Sequence, residues 1–180
     1  MMLLIWQSLY LLAPAYLANM SATLASKLKI LPQPLDHNKK IITNYFLGPG
    51  KTYGGTLTAM LLALAAVALQ SWLFNFDFFR RLSVIDYAQT NWLILGILSG
   101  LGAVGGDIVA SFFKRRLHLP SGTMAPFLDQ WDFIIGYFLL ISLTVSLSRP
   151  IIMAALVLTL ILHPLSNLAA YWLKLKKVWW

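Results

Sequence analysis

The sequence has no cysteine, and charged residues make up only 11% of its 180 residues. The absence of cysteine excludes structural disulfides and thiolate metal sites. Ordinary soluble domains carry about 25% charged residues, whereas this chain is 59% hydrophobic with a mean hydropathy of +0.72. A soluble fold of this length could not bury so much apolar surface, because the buried fraction is limited by size. The composition therefore predicts an all-α integral membrane protein.

Glutamate is also missing, so all six acidic residues are aspartates, against 14 Lys and Arg. The resulting formal net charge of +8 is compatible with nucleic acid, anionic lipid or a phosphorylated substrate as a partner. Because membrane burial leaves little surface for nucleic acid, we expect no nucleic-acid partner and favour a phosphate-bearing substrate or lipid.

Five apolar stretches have about the 20 residues that a transmembrane helix needs. They cover residues 3–25, 55–74, 91–113, 129–147 and 151–173. No internal repeat or long linker separates them, so we predict a single domain over residues 1–180. Eleven of the 14 basic residues fall in the first and third connections and the C-terminal tail. The positive-inside rule thus predicts a multi-pass protein of the cell membrane with its N-terminus outside and its C-terminus in the cytoplasm.

The pattern most typical of chemistry is GDIVASFFKRRLHLPSGTMAPFLDQWDF, residues 106–133, which joins the third and fourth predicted spans. Helical periodicity places Asp107, Ser111 and Lys114 on one face, and Asp129 and Asp132 on one face of the next helix. An ionised side chain inside a span costs about 2.5 to 3.5 kcal/mol, so Asp107 needs a compensating partner.

Two interpretations of these aspartates remain open at this point. They either pair with the neighbouring cations, with Asp129 capping its helix, or they bind a divalent cation. Oxygen ligands without cysteine or a histidine pair suit Mg²⁺, which takes one or two carboxylates plus phosphates and water. We predict an Mg²⁺ site at the cytoplasmic side, with Asp107, Asp129 and Asp132 as metal ligands beside the cations Lys114, Arg115 and Arg116.

The first connection contains Gly48-Pro49-Gly50-Lys51-Thr52. A Walker A loop is excluded, because Tyr45 stands where that motif requires glycine. The remaining interpretation is a glycine-rich turn that presents Lys51 and backbone N–H groups to an anion. Polar residues within spans, here His163 and Asn167, more often form interhelical hydrogen bonds than functional sites.

The string from Gly106 to Phe133 resembles the archaeal CDP-archaeol synthases, which are related to bacterial CDP-diglyceride synthases. The resemblance extends to residues 14–19, residues 34–36 and the Lys51-Thr52 turn. It implies that Asp107, Asp129, Asp132 and Lys114 are catalytic. The phosphate-binding residues that it implies are Lys51, Ser111, Lys114, Arg115 and Arg116, and it makes Asn19, Asp36 and Thr52 candidate substrate contacts. The chain departs from the family pattern at Thr43-Asn44, where an acidic residue and glycine are expected, and at Gly54, where arginine is expected.

The resemblance implies an archaeal source and cytidylyl transfer from CTP to 2,3-bis-O-geranylgeranyl-sn-glycerol 1-phosphate, with Mg²⁺ as cofactor. The products would be CDP-archaeol and pyrophosphate. The alternative is a small membrane transporter or channel with an aspartate-lined cation site, and a structural membrane protein is a third class. A transporter is expected to place such residues near the midplane, often with inverted repeats, and the sequence shows neither.

Overall fold

The computed structural model describes residues 1–41, 44–176 and 178–179, except for the side chain of Asn44. Thr43, Lys177 and Trp180 therefore lie outside the described residues. The helices are α1 Met2–Lys27, α2 Tyr53–Leu73, α3 Asp77–Leu82, α4 Trp92–Arg116, α5 Leu128–Ile141 and α6 Arg149–Trp172. Two short antiparallel strands, β1 Lys40–Ile41 and β2 Asn44–Tyr45, form a hairpin that the sequence did not predict.

Four helices, α1, α2, α4 and α6, have the length and composition to cross a membrane. The fourth predicted span, residues 129–147, is wrong in its extent, because α5 has 14 residues and ends at Ile141. At about 1.5 Å per residue it is shorter than a hydrocarbon core of about 30 Å. The Ser142 hydroxyl donates to the Leu139 carbonyl at 2.7 Å, and the Thr144 hydroxyl donates to the Ile141 carbonyl at 3.1 Å. Such local hydrogen bonds compete with continuation of a helix.

Pro14 determines how α1 packs against its neighbours. Proline has no N–H, so the carbonyl of Tyr10 loses its partner within the helix. Gln70 of α2 donates to that carbonyl at 2.5 Å, and the Tyr137 hydroxyl of α5 donates to the Leu11 carbonyl at 2.7 Å. Backbone groups in lipid must be satisfied within the protein, so these bonds hold α1 between α2 and α5.

Glycines let α4 approach two helices closely. Two of its glycines face α2, and Gly102 and Gly106 face α5. A methyl group at Gly106 would overlap the carbonyl of Asp132, and one at Gly136 of α5 would overlap the carbonyl of Gly102. The packing interpretation of these small residues is confirmed. The same contact brings the segment around Asp107 next to the first turns of α5.

The outward face of α6 carries an apolar stripe. Met153, Val157, Ile161 and Leu165 follow one another at intervals of four residues, and each side chain is more than half exposed. Residues at this spacing lie on one helical face. An apolar face of this kind suits contact with lipid and agrees with a multi-pass membrane protein.

Candidate functional site

A polar cavity of about 470 Å³ lies at one end of the helical bundle. The C-terminal ends of α1, α4 and α6 and the N-terminal end of α5 meet there. The charged residues that line it are Lys51, Asp107, Lys114, Arg115, Asp129, Asp132 and Lys176. The two helix faces predicted from residues 106–133 therefore meet at a single cavity.

Lys51 is the partner that Asp107 requires at this depth. The Thr52 hydroxyl accepts the N–H of Gly55 at 3.1 Å and caps α2, which fixes the end of the preceding loop. From that loop, Lys51 Nζ reaches Asp107 Oδ2 at 2.5 Å. The side chains are 24% and 31% exposed, so this ion pair offsets much of the cost of removing each charge from water.

Asp129 forms the second ion pair of the cavity, with Lys114 of α4. Its other oxygen accepts the N–H of Ala125 at 2.8 Å and so closes the turn before α5. The N-cap position itself is occupied by Phe127, whose φ is 64°. Asp129 therefore stabilises the approach to α5 without standing at the cap position that the sequence suggested.

Asp132 lies one turn further along α5. Its Oδ1 accepts the N–H of Phe133 at 2.6 Å, and no ion pair involves Asp132 within the described residues. No group of three His or Asp side chains in residues 1–41, 44–176 and 178–179 is arranged to hold a metal ion. The three aspartates thus line one cavity without forming the predicted trio around one ion.

The donor chemistry nevertheless fits Mg²⁺. This ion usually binds one or two carboxylates and completes its octahedron with substrate phosphates and water. Three carboxylates that line one cavity are hard oxygen ligands of the kind that such an ion takes.

The two arginines of the cationic triplet hold loops. Arg115 is only 6% exposed; its guanidinium donates to the carbonyl of Leu47 at 3.3 Å and to that of Leu119. Arg116 donates to the carbonyl of Tyr45 at 2.8 Å and does not line the polar cavity. Of the three cations predicted to clamp phosphate, Lys114 and Arg115 line the cavity, whereas Arg116 bonds to the hairpin.

Asp36, a predicted substrate contact, organises the first connection and does not line the polar cavity. Its carboxylate accepts backbone N–H groups of Asn38, Leu47 and Gly48 at 3.0, 2.8 and 3.2 Å. Burial raises the pKa of Asp36, but these hydrogen bonds outweigh it and the pKa is lowered. Asp36 therefore positions the loop that carries Lys51.

The other predicted contacts lie at the cavity. Ser111 is buried in its wall, and Asn19 lines both this cavity and an adjoining one of about 40 Å³. Thr52 lines the adjoining cavity. At the departing position Gly54, any side chain would overlap the backbone carbonyl of Ile30, which explains why glycine stands here.

Sequence reasoning missed the contribution of α6 and the segment after it. His163 and Asn167, predicted as interhelical hydrogen-bonding groups, line the polar cavity. The sequence indicated only that Lys176 is one of the basic residues of the C-terminal tail. In the structure its Nζ donates to Asn167 Oδ1 at 2.7 Å. The four-residue spacing of His163 and Asn167, which puts both on one helical face, was the available signal.

A family model described as CarS-like, CDP-archaeol synthase, matches residues 1–180. The chain belongs to the CDP-archaeol synthase family. It is 37% identical to the CDP-archaeol synthase of Methanococcus maripaludis strain C7 over 100% of this chain and 99% of the relative. It is 38% identical to that of Methanopyrus kandleri over 97% and 92% of the two chains. For Methanocaldococcus jannaschii the identity is 34%, over 98% of each.

A solved structure described as an intramembrane enzyme for archaeal membrane lipids biosynthesis is 28% identical to this chain. It covers 88% of this chain and 90% of its own length, with a TM-score of 0.71. The resemblance to CDP-archaeol synthases that the sequence showed is confirmed, and so is the helical membrane architecture.

Proposed function

We propose that this chain transfers a cytidylyl group from CTP to 2,3-bis-O-geranylgeranyl-sn-glycerol 1-phosphate, giving CDP-archaeol and pyrophosphate. The observation that carries the proposal is the single polar cavity of four cations and three carboxylates at one end of an apolar bundle. Membership of the CDP-archaeol synthase family supports the same reaction.

The cavity end of the bundle is proposed to face the cytoplasm. Lys51, Lys114 and Lys176, which belong to the three basic connections, all line this cavity. The excess of basic residues at one end supports a cytoplasmic orientation, where CTP is present.

The reaction needs two anions to meet. An oxygen of the lipid phosphate attacks the α-phosphorus of CTP, the bond from that phosphorus to the β-phosphate bridging oxygen breaks, and pyrophosphate leaves. The lipid phosphate is already ionised at neutral pH, so no general base is required. Catalysis then depends on positioning and on neutralising charge. Lys51 and Lys114 would bind phosphate oxygens, while Arg115 holds the surrounding loops.

Asp107, Asp129 and Asp132 would supply carboxylate oxygens to Mg²⁺, one or two at a time alongside substrate phosphates. When bound, Mg²⁺ would offset negative charge on the phosphate oxygens and on the departing pyrophosphate. Lys51 and Lys114 would exchange their present aspartate partners for phosphate, so neither lysine would be left without an anion.

An apolar groove beside the cavity supports a lipid substrate. It has a volume of about 400 Å³ and is lined by Leu9, Leu12, Ala13, Tyr16, Leu162, Leu165 and Ser166. The polar cavity is lined by Asn19, one turn after Tyr16 on α1, and by His163 and Asn167 on α6. Apolar chains and a phosphate headgroup could therefore be bound along the same pair of helices.

The test is pyrophosphate release by purified protein with CTP, Mg²⁺ and the polyprenyl ether lipid phosphate. We expect release that depends on all three components, that stops with EDTA and returns with added Mg²⁺. Proteoliposomes of the same protein, assayed for cation flux without CTP, test the transporter alternative. Cation flux without any pyrophosphate release would overturn the proposal.

A further inference from the structure

The segment after α6 folds back toward the cavity because of the way the helix ends. Leu175 donates its N–H to the carbonyl of Ala170 at 2.8 Å, and Lys174 donates to that of Tyr171 at 2.9 Å. Lys174 has a φ of 56°, in the left-handed region. This pair of bonds around a left-handed residue is a Schellman motif, which ends a helix and redirects the chain.

The redirected segment places Lys176 in the cavity wall. Its side chain reaches back nine residues along the chain, where Nζ donates to Asn167 Oδ1 at 2.7 Å. Trp179, further on, lines a small cavity of about 20 Å³ with Met124 and Pro126 of the loop before α5. The segment is thus held on α6 at one point and against this loop at the other.

Lys176 shares the electrostatic environment of the cavity. The pKa of its amine is lowered by burial and by the charges of Lys51 and Lys114, and the carboxylates of Asp129 and Asp107 offset this only in part. A phosphate bound beside the amine would favour its charged form. Asn167 is a neutral amide whose oxygen accepts from the ammonium group and so orients it.

We propose that Lys176, oriented by Asn167, is a substrate-binding residue that contacts a phosphate group of one of the two substrates. This inference rests on the proposed function, since it requires phosphate-bearing substrates in the cavity. Lys51, Lys114 and Arg115 come from α4 and the loop before α2, whereas Lys176 comes from the α6 side. Cations from different elements allow two anionic groups to be neutralised at the same time.

The experiment measures KM for CTP and for the lipid phosphate with Lys176→Gln, which keeps a polar side chain one atom shorter and removes the charge. We expect KM for one substrate to rise about tenfold to a hundredfold, the range for a lost charged hydrogen bond. The kcat should change little, because binding of ground state and transition state is lost together. The substrate whose KM rises identifies the phosphate, and Lys176→Arg should recover most of the affinity.

The matched control is Lys174→Gly, which removes a cation from the same segment outside the cavity lining. Glycine suits its left-handed backbone, so the turn should persist and both KM values should stay unchanged. Unchanged KM values for Lys176→Gln would overturn the proposal. An equal rise in both, with a lower melting temperature that Arg does not restore, would assign Lys176 a packing role and also overturn it.

A measurement on the unaltered protein covers the case in which Lys176→Gln does not fold. CTP and the lipid phosphate, each added alone, are tested for protection of Lys176 from an amine-acylating reagent, with Lys174 as the internal reference. Protection of Lys176 by either substrate supports the proposal, and equal labelling with and without both contradicts it. Absence of turnover by the unaltered protein would instead count against the proposed function.

Discussion

Lys51 Nζ lies 2.5 Å from Asp107 Oδ2, and this ion pair joins the loop before α2 to the C-terminal half of α4. The Lys114–Asp129 pair likewise joins α4 to the turn before α5. Two of the three carboxylates of the cavity are therefore paired with lysines within the protein. Under the proposed function, a triphosphate with its divalent cation would offer both lysines an anion and both carboxylates a cation, so neither ion pair would be broken without replacement.

Asp132→Asn should lower the rate of pyrophosphate release by about a hundredfold or more, the range for losing one electrostatic group in a reaction centre. Asparagine is isosteric, so the protein should remain folded and monodisperse in detergent. The control Asp77→Asn alters an 85% exposed carboxylate on α3 and should keep full activity. Full activity of Asp132→Asn would remove this residue from the proposed metal site.

Lys114→Ala should weaken CTP binding more than lipid phosphate binding, because Lys114 is the member of the cationic triplet whose ammonium group pairs inside the cavity. Titration calorimetry with CTP is the measurement. Arg116→Ala is the matched comparison, since the side chain of Arg116 bonds to the hairpin outside the cavity lining and should affect CTP affinity much less. Equal losses for the two variants would contradict the assignment.

Gly106→Ala should reduce both stability and activity, because the added methyl group would overlap the carbonyl of Asp132. Overpacking of this kind typically costs about 1 to 3 kcal/mol. It would also shift Asp107 relative to Asp132. Gly105→Ala is the control, since nothing lies within 4 Å of a methyl group there. Thermal unfolding in detergent and the pyrophosphate assay together check the expectation, which fails if both variants behave alike.

Gln70→Leu should lower the melting temperature. Gln70 donates to the Tyr10 carbonyl freed by Pro14 and accepts the Tyr87 hydroxyl at 2.9 Å, so leucine leaves two groups without these partners. The cost of a buried group left unsatisfied is about 1 to 3 kcal/mol. Gln7→Leu removes an exposed hydrogen bond to Arg81 and should have a much smaller effect.

Asp36→Asn should lower stability in a pH-dependent way. The pKa of Asp36 is lowered in the folded protein, so its contribution is present above the unfolded value and is lost as pH falls through the folded value. The unfolded value is about 3.9. The difference in melting temperature between variant and parent should be fully developed at neutral pH and shrink in strong acid. A difference that does not change with pH would contradict this role.

Hydropathy and spacing were sufficient for much of the architecture. Four of five predicted spans match long helices, and Asp107, Ser111, Lys114, Asp129 and Asp132 line one cavity as the helical period required. These predictions depend on local sequence, which determines the face on which a residue lies. The family resemblance also rested on these residues and is confirmed.

Long-range pairing could not be predicted in the same way. Lys51 finds Asp107 across 56 positions, and Arg115 turns to the carbonyl of Leu47 across 68. The sequence around Lys114, Arg115 and Arg116 does not show which of these cations faces the cavity and which bonds to a loop. Lys176 depends on a left-handed residue other than glycine, for which the sequence carries no turn signal.

The direct backbone approach of α4 to α5 at Gly102, Gly106 and Gly136 has a mechanical consequence. These two helices cannot slide or separate locally without opening voids, because no flexible side chain lies between them to adapt. The cavity wall that α4 and α5 form, which carries the carboxylates, is therefore rigid. Under the proposed function, any widening that admits the substrates would come from the other elements that line the cavity, such as α1 and α6.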